Sequence, residues 1–319
     1  MSDLTLGFRE VCKKRFILKN LDLVNERVSK DGTSKYLFRL LDGNLIESVL
    51  IPSYIGSSHR NTVCVSTQVG CTFGCKFCAS GKKGFKRDLS TGEIVDQVIF
   101  IKNRIGSLKT SVTVTETFRS PLTNPITNIV IMGVGEPLSN YDNLLKAIRL
   151  FNSHECLNIG IRKITISTCG IIPEILRLAR ENLQVELSVS LHASDDATRS
   201  SLMPINKKYP ISKLIETCKE YILKTNRQIT FEYILIKEIN DSPQDARRLI
   251  RILKSIKCKV NIIPYNEIEG IKFTSPDIET IRTFRGILKM GRISSTLRLQ
   301  RGADIKASCG QLRMMENIP

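Results

Sequence analysis

The chain has 319 residues, of which 41% are hydrophobic and 25% charged, an ordinary composition for a globular protein with a large core. Lys and Arg number 48 against 31 Asp and Glu, and the formal net charge of +17 favours a polyanionic partner such as nucleic acid over an acidic one. The alternative explanation of this charge is a generally basic surface without a nucleic-acid site. No apolar run approaches the length of a membrane span, and Asp3, Arg9 and Glu10 stand where a signal peptide would need its apolar core. These features predict a soluble, cytoplasmic protein without a membrane partner.

Taken in chain order, the elements begin with a basic N-terminal segment, residues 1–34, which is predicted to be helical in part. Residues 35–58 contain two apolar runs around Asp42-Gly43-Asn44, a turn sequence typical of β-hairpins. Short β-branched runs follow, alternating with helix-like segments, at residues 61–67, 128–134, 163–168, 185–192, 229–236, 259–265 and 295–300. Residues 106–127 are rich in Ser, Thr and Pro and are predicted to form an exposed excursion.

The alternation of strands and helices predicts the fold class. Ser90 to Glu93 form a capping-box pattern that opens the first long helix. Apolar strands separated by helices form parallel sheets, because each strand must be covered on both faces. Six such units predict an α/β fold, a partial (β/α)6 TIM-like barrel over residues 59–312, with chemistry at the carboxyl ends of its strands. Residues 313–319 are predicted to form a C-terminal tail after the barrel.

Four cysteines lie in one short segment, CVSTQVGCTFGCKFC, at Cys64, Cys71, Cys75 and Cys78. The last three follow a predicted strand and precede the capped helix, so they belong to a loop at the catalytic end of the barrel. A structural zinc site is the alternative, but it needs a fourth ligand, and the sequence has no second CxxC and no paired histidines. Three thiolates on one tight loop suit an iron-sulfur cluster with one iron left open.

The CxxxCxxC spacing resembles the signature of the radical S-adenosylmethionine superfamily. That resemblance implies a four-iron, four-sulfur cluster on Cys71, Cys75 and Cys78, with an open iron that binds the amino and carboxylate groups of S-adenosylmethionine. It also implies that Phe77 contacts the adenine of the cofactor. Gly135 and Glu136, in the GVGEP sequence that ends the second strand, resemble a conserved element whose glutamate accepts a hydrogen bond from the cofactor's amino group.

The resemblance narrows to the RlmN and Cfr family of RNA adenine methyltransferases and runs from residue 5 to residue 312. The matching pieces are NLIESVLIP, CVSTQVGCTFGCKFCASGKKGF, PITNIVIMGVGEPL, ITISTCGIIP, SLHASDDATRSSLMPINKKYPI, NIIPYN and GADIKASCGQL. This likeness implies that S-adenosylmethionine is also contacted by Ser167, Ser190, His192 and Asn266. Family members carry a helical accessory domain before the hairpin, and residues 1–34 are expected to be a shortened remnant of it.

The family resemblance also implies a mechanism. Cys309 takes a methyl group from one S-adenosylmethionine, and a radical made from a second one activates that methyl group for addition to an adenine carbon. Glu47 accepts the proton that leaves the ring, and Cys64 releases the product by forming a disulfide with Cys309. An exposed hairpin glutamate is the alternative interpretation of Glu47. The remaining cysteines, Cys12, Cys156, Cys169, Cys218 and Cys258, are interpreted as small core residues.

The implied substrate is an adenosine in the peptidyl-transferase region of 23S rRNA. RlmN-type enzymes methylate carbon 2, which most of the matching pieces favour, and Cfr-type enzymes methylate carbon 8. An adenosine next to the anticodon of tRNA is a further candidate. Flavodoxin or ferredoxin is the expected electron donor, and the protein is expected to be a monomer.

RNA binding is predicted for the basic residues around the site. These are KKGFKRDL at 82–89, with Phe85 available for stacking, the turn at 206–208, and Arg282, Arg285, Lys289, Arg292, Arg298 and Arg301. Two other classes remain open at this stage: a radical S-adenosylmethionine enzyme that does not methylate, and a metal-stabilised RNA-binding protein.

Overall fold

The computed structural model describes residues 5–15, 19–55, 58–82, 84–110, 125–298 and 300–312. Its helices are α1 Leu6–Arg15, α2 Ala79–Lys82, α3 Thr91–Thr110, α4 Tyr141–Asn152, α5 Ile172–Leu178, α6 Asp196–Leu202, α7 Ile211–Thr225, α8 Pro243–Leu253 and α9 Ile278–Met290. Its strands are β1 Leu21–Val28, β2 Ser34–Leu40, β3 Leu45–Ile55, β4 Ser58–Cys64, β5 Gln68–Gly70, β6 Phe85–Asp88, β7 Asn128–Ile131, β8 Ile164–Thr168, β9 Glu186–Ser190, β10 Ile229–Leu235, β11 Cys258–Pro264 and β12 Ser295–Leu297.

Seven parallel strands form the catalytic half of a ten-stranded sheet, in the order β4-β7-β8-β9-β10-β11-β12. Every residue of β7 and β10 is buried, as expected for strands of a parallel sheet that are covered on both faces. The sheet order is linear, so the barrel is partial, as the sequence predicts. The seventh strand, β12, is short and ends just before Arg298.

Three antiparallel strands, β1, β2 and β3, extend the sheet beyond β4. The predicted hairpin is β2 and β3, and its turn is closed by Gly43, which has a positive φ of 81°, and by the Asp42 side chain, which accepts from the Asn44 N–H at 3.0 Å. Strand β1 was not predicted, because half of its residues are polar and only Leu21 is buried. The predicted boundary between the N-terminal segment, 1–34, and the hairpin, 35–58, therefore separates β1 from β2, although the two strands pair with each other.

Helix α3 begins with the predicted capping box. The Glu93 carboxylate accepts from the Ser90 N–H at 2.8 Å, and the Glu93 N–H donates to the Ser90 hydroxyl at 3.2 Å. The helix continues to Thr110, so the excursion predicted to start at residue 106 begins too early. Its residues 111–124 lie outside the described residues, as does the tail at 313–319. None of the described helices combines the length and apolarity that crossing a lipid bilayer requires.

Candidate active site at the carboxyl ends of the strands

One cavity opens at the carboxyl ends of the parallel strands. It gathers most of the residues predicted for the site, namely Cys71, Cys75, Cys78, Phe77, Gly135, Glu136, Ser167, Ser190, His192 and Cys309. They come from the cysteine loop, the turn after β7, the ends of β8 and β9 and the C-terminal loop. Parallel strands bring such residues together because their carboxyl ends share one edge of the sheet. Glu47, Cys64 and Asn266 are not in the cavity wall, and their contacts are described below.

The cysteine loop is wound tightly between β5 and α2. Gly70 has a positive φ of 81°, and a side chain there would overlap the carbonyl oxygen of Gly84, which accepts from the Cys71 N–H at 2.9 Å. A Cβ atom at Gly81 would lie 3.0 Å from the backbone nitrogen and oxygen of Cys75. Glycine at both positions lets the backbone close around its three thiols.

Burial raises the pKa of the Cys71 thiol to about 12. It also raises the pKa of Cys75, where the nearby Cys78 and Cys71 add repulsion between thiolates. A cationic iron centre would remove both penalties, because metal coordination deprotonates thiols. In the described part of the chain no His, Cys, Asp and Glu side chains converge to hold a single metal ion. A four-iron cube instead needs thiolates spread around it, so the donor set fits the cluster.

The GVGEP turn places Glu136 beside the cysteine loop. Gly135 has a φ of 108°, and a Cβ atom there would lie 2.6 Å from the Cβ of Gln68. The Glu136 carboxylate accepts from the backbone N–H of Leu138 at 3.1 Å and of Cys169 at 2.7 Å. Burial nevertheless raises its pKa. These bonds fix both oxygens in place, and each retains a lone pair for a cationic donor.

His192 and Phe77 pack edge to face, with ring centroids 4.8 Å apart. His192 has a positive φ of 55°, and its Nδ1 accepts from the Ile234 N–H at 3.1 Å. Burial, helped by the charge of Arg199, lowers the pKa of His192 to about 3. The imidazole is therefore neutral with its proton on Nε2, which makes that atom a hydrogen-bond donor.

The C-terminal loop that carries Cys309 is tied to the cysteine loop and to the end of β11. The Ala79 N–H donates to the Gly310 carbonyl at 2.8 Å, and the Ser80 hydroxyl donates to the Leu312 carbonyl at 2.8 Å. Asn266 Nδ2 donates to the Cys309 carbonyl at 3.0 Å. Asn266 thus contacts the carrier loop through one of its two amide hydrogens.

Cys64 ends β4 and lies behind Cys309. It is buried in an apolar cluster with Val49, Val130, Val134, Ile305, Ala307 and Leu312. Burial raises the pKa of Cys64 to about 12, with repulsion from Cys309 as the second cause. Both cysteines are free thiols. Cys64 therefore packs against the C-terminal loop on which Cys309 lies.

Glu47 is buried, with 2% of its surface exposed, which excludes an exposed hairpin glutamate. Its Oε1 lies 3.0 Å from the Lys35 ammonium, and Lys35 also donates to the Lys306 carbonyl at 3.2 Å. The lysine connects the carboxylate of β3 with the loop that carries Cys309.

Three residues of the cavity wall were not predicted from the sequence. Cys169 follows β8 and is buried in an apolar cluster, as its interpretation as a core residue predicts, but it also lines the cavity, which the sequence did not indicate. Glu232 is buried in the middle of β10, where its Oε2 accepts from Asn261 Nδ2 at 2.9 Å. Arg298 also lines the cavity and contacts the Met132 sulfur at 3.5 Å. A charged residue within an apolar strand was the available signal for Glu232.

The predicted RNA-binding residues are not equally available. Phe85 is 41% exposed. Arg87 is engaged by Asp42 at 2.6 Å and by Glu93 at 2.8 Å. Asn206 is 2% exposed and bonded within the fold, so the turn at 206–208 offers only its two lysines to a ligand.

The fold, and the cavity lined by the cysteine loop with Cys71, Cys75 and Cys78, define a radical S-adenosylmethionine enzyme. The model of the radical SAM superfamily matches residues 65–250. The crystal structure of a radical SAM methyltransferase from Sphaerobacter thermophilus is 44% identical, has a TM-score of 0.89, and covers 98% of this chain and 86% of its own. Streptococcus suis SuiB bound to S-adenosylmethionine, at 16% identity and a TM-score of 0.53 over 75% of this chain and 50% of its own, shares the fold alone. The cofactors are a four-iron, four-sulfur cluster and S-adenosylmethionine.

Curated relatives identify the family. A protein of Akkermansia muciniphila described as "Probable dual-specificity RNA methyltransferase RlmN" is 44% identical over 98% of this chain and 84% of its own length. A protein of Clostridium acetobutylicum with the same description is 45% identical over 98% of this chain and 85% of its own length. The chain belongs to the RlmN family.

Proposed function

We propose that this protein methylates carbon 2 of an adenosine in the peptidyl-transferase region of 23S rRNA, and also an adenosine next to the anticodon of tRNA. The observation that carries the proposal is that Cys309 lies in the wall of the cavity that Cys71, Cys75 and Cys78 also line, while Cys64 packs against the loop that carries Cys309. A radical enzyme that does not transfer methyl groups has no use for that thiol pair. The relatives' description as dual-specificity RNA methyltransferases supports RNA as the substrate.

In this proposal the cluster is held by Cys71, Cys75 and Cys78, and S-adenosylmethionine by Phe77, Gly135, Glu136, Ser167, Ser190, His192 and Asn266. When bound, the two groups supply the one-electron chemistry that removes hydrogen from a methylated thiol. Glu136 accepts from the amino group of the cofactor, since its carboxylate is already oriented by two backbone N–H groups. The neutral His192 donates through Nε2, and Phe77 packs against the adenine.

Cys309 is the methyl carrier. Its thiolate first displaces the methyl group from the sulfonium sulfur of one S-adenosylmethionine, in the cavity that Arg298 also lines. The activated one-carbon unit then joins the Cys309 sulfur to the adenine carbon. Cys64 attacks the Cys309 sulfur as a thiolate and forms a disulfide with it. The carbon of the broken sulfur-carbon bond leaves with the bonding electron pair and takes up a proton to become the methyl group, and an external reductant opens the disulfide for the next turnover.

Glu47 is the proton acceptor for the hydrogen leaving the ring. Its Oε1 lies 3.0 Å from the Lys35 ammonium, and a positioned carboxylate is suited to accept a proton. Lys35 also bonds to the carrier loop, so Glu47 is held in register with Cys309. The exposed Phe85 and the lysines at 207 and 208 contact RNA near the cavity mouth.

The remaining assignments follow from the same proposal. Residues 1–34 act as an accessory RNA-binding segment, residues 35–58 as an extension that supplies Glu47, and residues 59–312 as the catalytic barrel. A flavodoxin or ferredoxin donates the electron, and the enzyme works as a monomer in the cytoplasm.

The deciding experiment is mass spectrometry of 23S rRNA and tRNA from a strain lacking the protein, with and without complementation. We expect 2-methyladenosine to disappear from both RNAs and to return with the gene. Loss of 8-methyladenosine instead would assign a Cfr-type reaction, and unchanged methyladenosine in both RNAs would contradict the proposal.

A further inference from the structure

Arg199 is the largest fully buried side chain of the described residues, and it lies outside the cavity wall. It belongs to the short helix α6, which starts with the Asp195 carboxylate accepting from the Thr198 N–H at 2.8 Å. A buried arginine is costly unless its donors are satisfied, because both its charge and its five N–H groups lose water. The partners of this guanidinium therefore indicate what it does.

All five N–H donors of Arg199 have acceptors, and all five acceptors are neutral oxygens. They are the carbonyls of Leu191 at 3.1 Å, Tyr209 at 3.3 Å, Cys169 at 2.8 Å and Ser190 at 3.0 Å, and the Asn206 side-chain oxygen at 2.9 Å. The guanidinium thus links Cys169, which follows β8, to Ser190 and Leu191 at the end of β9. These are two of the strand ends that form the cavity.

Both strand ends carry residues of the proposed S-adenosylmethionine site. The peptide N–H of Cys169 donates to the Glu136 carboxylate at 2.7 Å, while the Cys169 carbonyl accepts from Arg199. Arg199 thereby holds the backbone of Cys169 through its carbonyl, and the N–H of the same residue orients Glu136. The Ser190 side chain lines the cavity, and its carbonyl is held from behind by the same guanidinium.

The turn that follows β9 needs such support because His192 has a positive φ of 55°, a strained conformation for this residue. The N–H groups of Leu191 and His192 both donate to the Glu232 carbonyl, at 3.1 and 3.3 Å. The carbonyls of Ser190 and Leu191 are fixed by Arg199. The turn is therefore held on one side by β10 and on the other by α6.

Helix α6 also contacts the cysteine loop. The carbonyl of its last residue, Leu202, accepts from the Lys76 N–H at 3.0 Å, between Cys75 and Cys78. Helix α6 thus contacts the cysteine loop through its last residue, Leu202, and the ends of β8 and β9 through Arg199.

We propose that Arg199 is a positioning residue for S-adenosylmethionine: it does not touch the cofactor, but it fixes the ends of β8 and β9 in the arrangement that binds it. The inference rests on the proposed cofactor site. Loss of Arg199 is expected to weaken binding of S-adenosylmethionine at least tenfold, because the Cys169 and Ser190 peptides lose their shared anchor.

The test compares Arg199→Met and Arg199→Lys with Arg227→Met. Arg227 is a partly buried arginine paired with Glu186 at the start of β9, so its removal is a similar change at the opposite end of the same strand. Each protein is reconstituted anaerobically, assayed for iron content, and titrated with S-adenosylmethionine. The readout is the change in the electron paramagnetic resonance spectrum of the reduced cluster.

We expect unchanged iron content in all variants and a titration midpoint at least tenfold higher for Arg199→Met. Arg199→Lys should lie between that variant and the wild type, since lysine keeps the charge but has three donors. Arg227→Met should titrate like the wild type. A midpoint unchanged in Arg199→Met, or shifted equally in Arg227→Met, would overturn the inference.

Failure of both Arg199 variants to fold would also overturn it, because a residue that only positions the site leaves the remaining core in place. A wild-type spectrum that does not respond to S-adenosylmethionine would contradict the proposed function rather than this inference.

Discussion

The two sides of the cavity are assembled from very different sequence separations. The cofactor side consists of the cysteine loop and the ends of β7 to β9, whose residues follow successive strands of one parallel sheet. The thiol side consists of Glu47 on β3, Cys64 on β4 and Cys309 on the C-terminal loop. Regular alternation of strand and helix builds the first, whereas the second depends on contacts between the two ends of the chain. The comparison teaches that the residues proposed for methyl transfer need the complete fold, while the residues proposed to bind the cofactors need the barrel.

The largest expected effect comes from removing the carrier thiol. Cys309→Ala should abolish RNA methylation, a loss of at least about a thousandfold, because no other group can accept the methyl. The cofactor side should survive, so iron content and binding of S-adenosylmethionine should stay within about twofold of the wild type. Anaerobic methylation assays and iron analysis check both parts. Loss of the cluster in this variant would show that the two sides are not separable.

Removing the resolving thiol should stop the reaction one step later. Cys64→Ala should accumulate a covalent RNA-protein adduct, because nothing attacks the Cys309 sulfur to release the product. Denaturing gels with labelled RNA measure the adduct. Cys218→Ala, which removes a fully buried thiol from α7, is the matched control and should form none. Ordinary turnover by Cys64→Ala would refute the release mechanism.

The cofactor side should also impose a pH dependence on stability. The pKa of His192 is about 3 in the folded protein, below the 6.5 of the unfolded chain, so below pH 6.5 the unfolded state binds more protons. The contribution of His192 to the free energy of unfolding is fully present above pH 6.5. It is lost as the pH falls toward 3, by up to about 5 kcal/mol.

Denaturant unfolding at pH 7 and pH 5 should therefore show a loss for the wild type that is smaller in His192→Gln. His154→Gln, at an exposed histidine, should behave like the wild type. An equal loss in His192→Gln and the wild type would assign the pH dependence to other groups.

The smallest effect concerns a buried polar network that joins the two sides. Gln97 of α3 accepts from the Ser48 hydroxyl at 2.6 Å and the Ser66 N–H at 2.9 Å, and donates to the carbonyls of Ser66 and Glu93, both at 3.0 Å. Ser66 in turn donates to the Glu47 carbonyl at 2.7 Å. The network fixes the strand that carries Glu47 against the barrel.

Gln97→Leu should lower the free energy of unfolding by about 3 kcal/mol, since it leaves several buried groups without partners. Chemical denaturation measures this loss. Gln184→Leu removes a single long hydrogen bond to Thr225 and should cost less than about 1 kcal/mol. Equal costs for the two substitutions would contradict a connecting role for the network.

Much of the cofactor side is predictable because local patterns specify it. The CxxxCxxC spacing, the capping box at Ser90 and the strand ends at Ser167 and Ser190 are all read from neighbouring residues. Cys169, Glu232 and Arg298 escaped prediction because the chemical role of a residue near a strand end depends on which way its side chain points. Strand β1 escaped because partly exposed strands lack a clear apolar alternation.

The sequence by itself determined the fold class, the cluster loop and the family. Only the tertiary structure decided that Cys64 packs against Ile305 and Ala307, that Glu47 is buried against Lys35, and that Arg199 binds two strand ends from behind the cavity. The physical reason is that local propensity and spacing act over a few residues. Burial and long-range hydrogen bonds are properties of the packed chain.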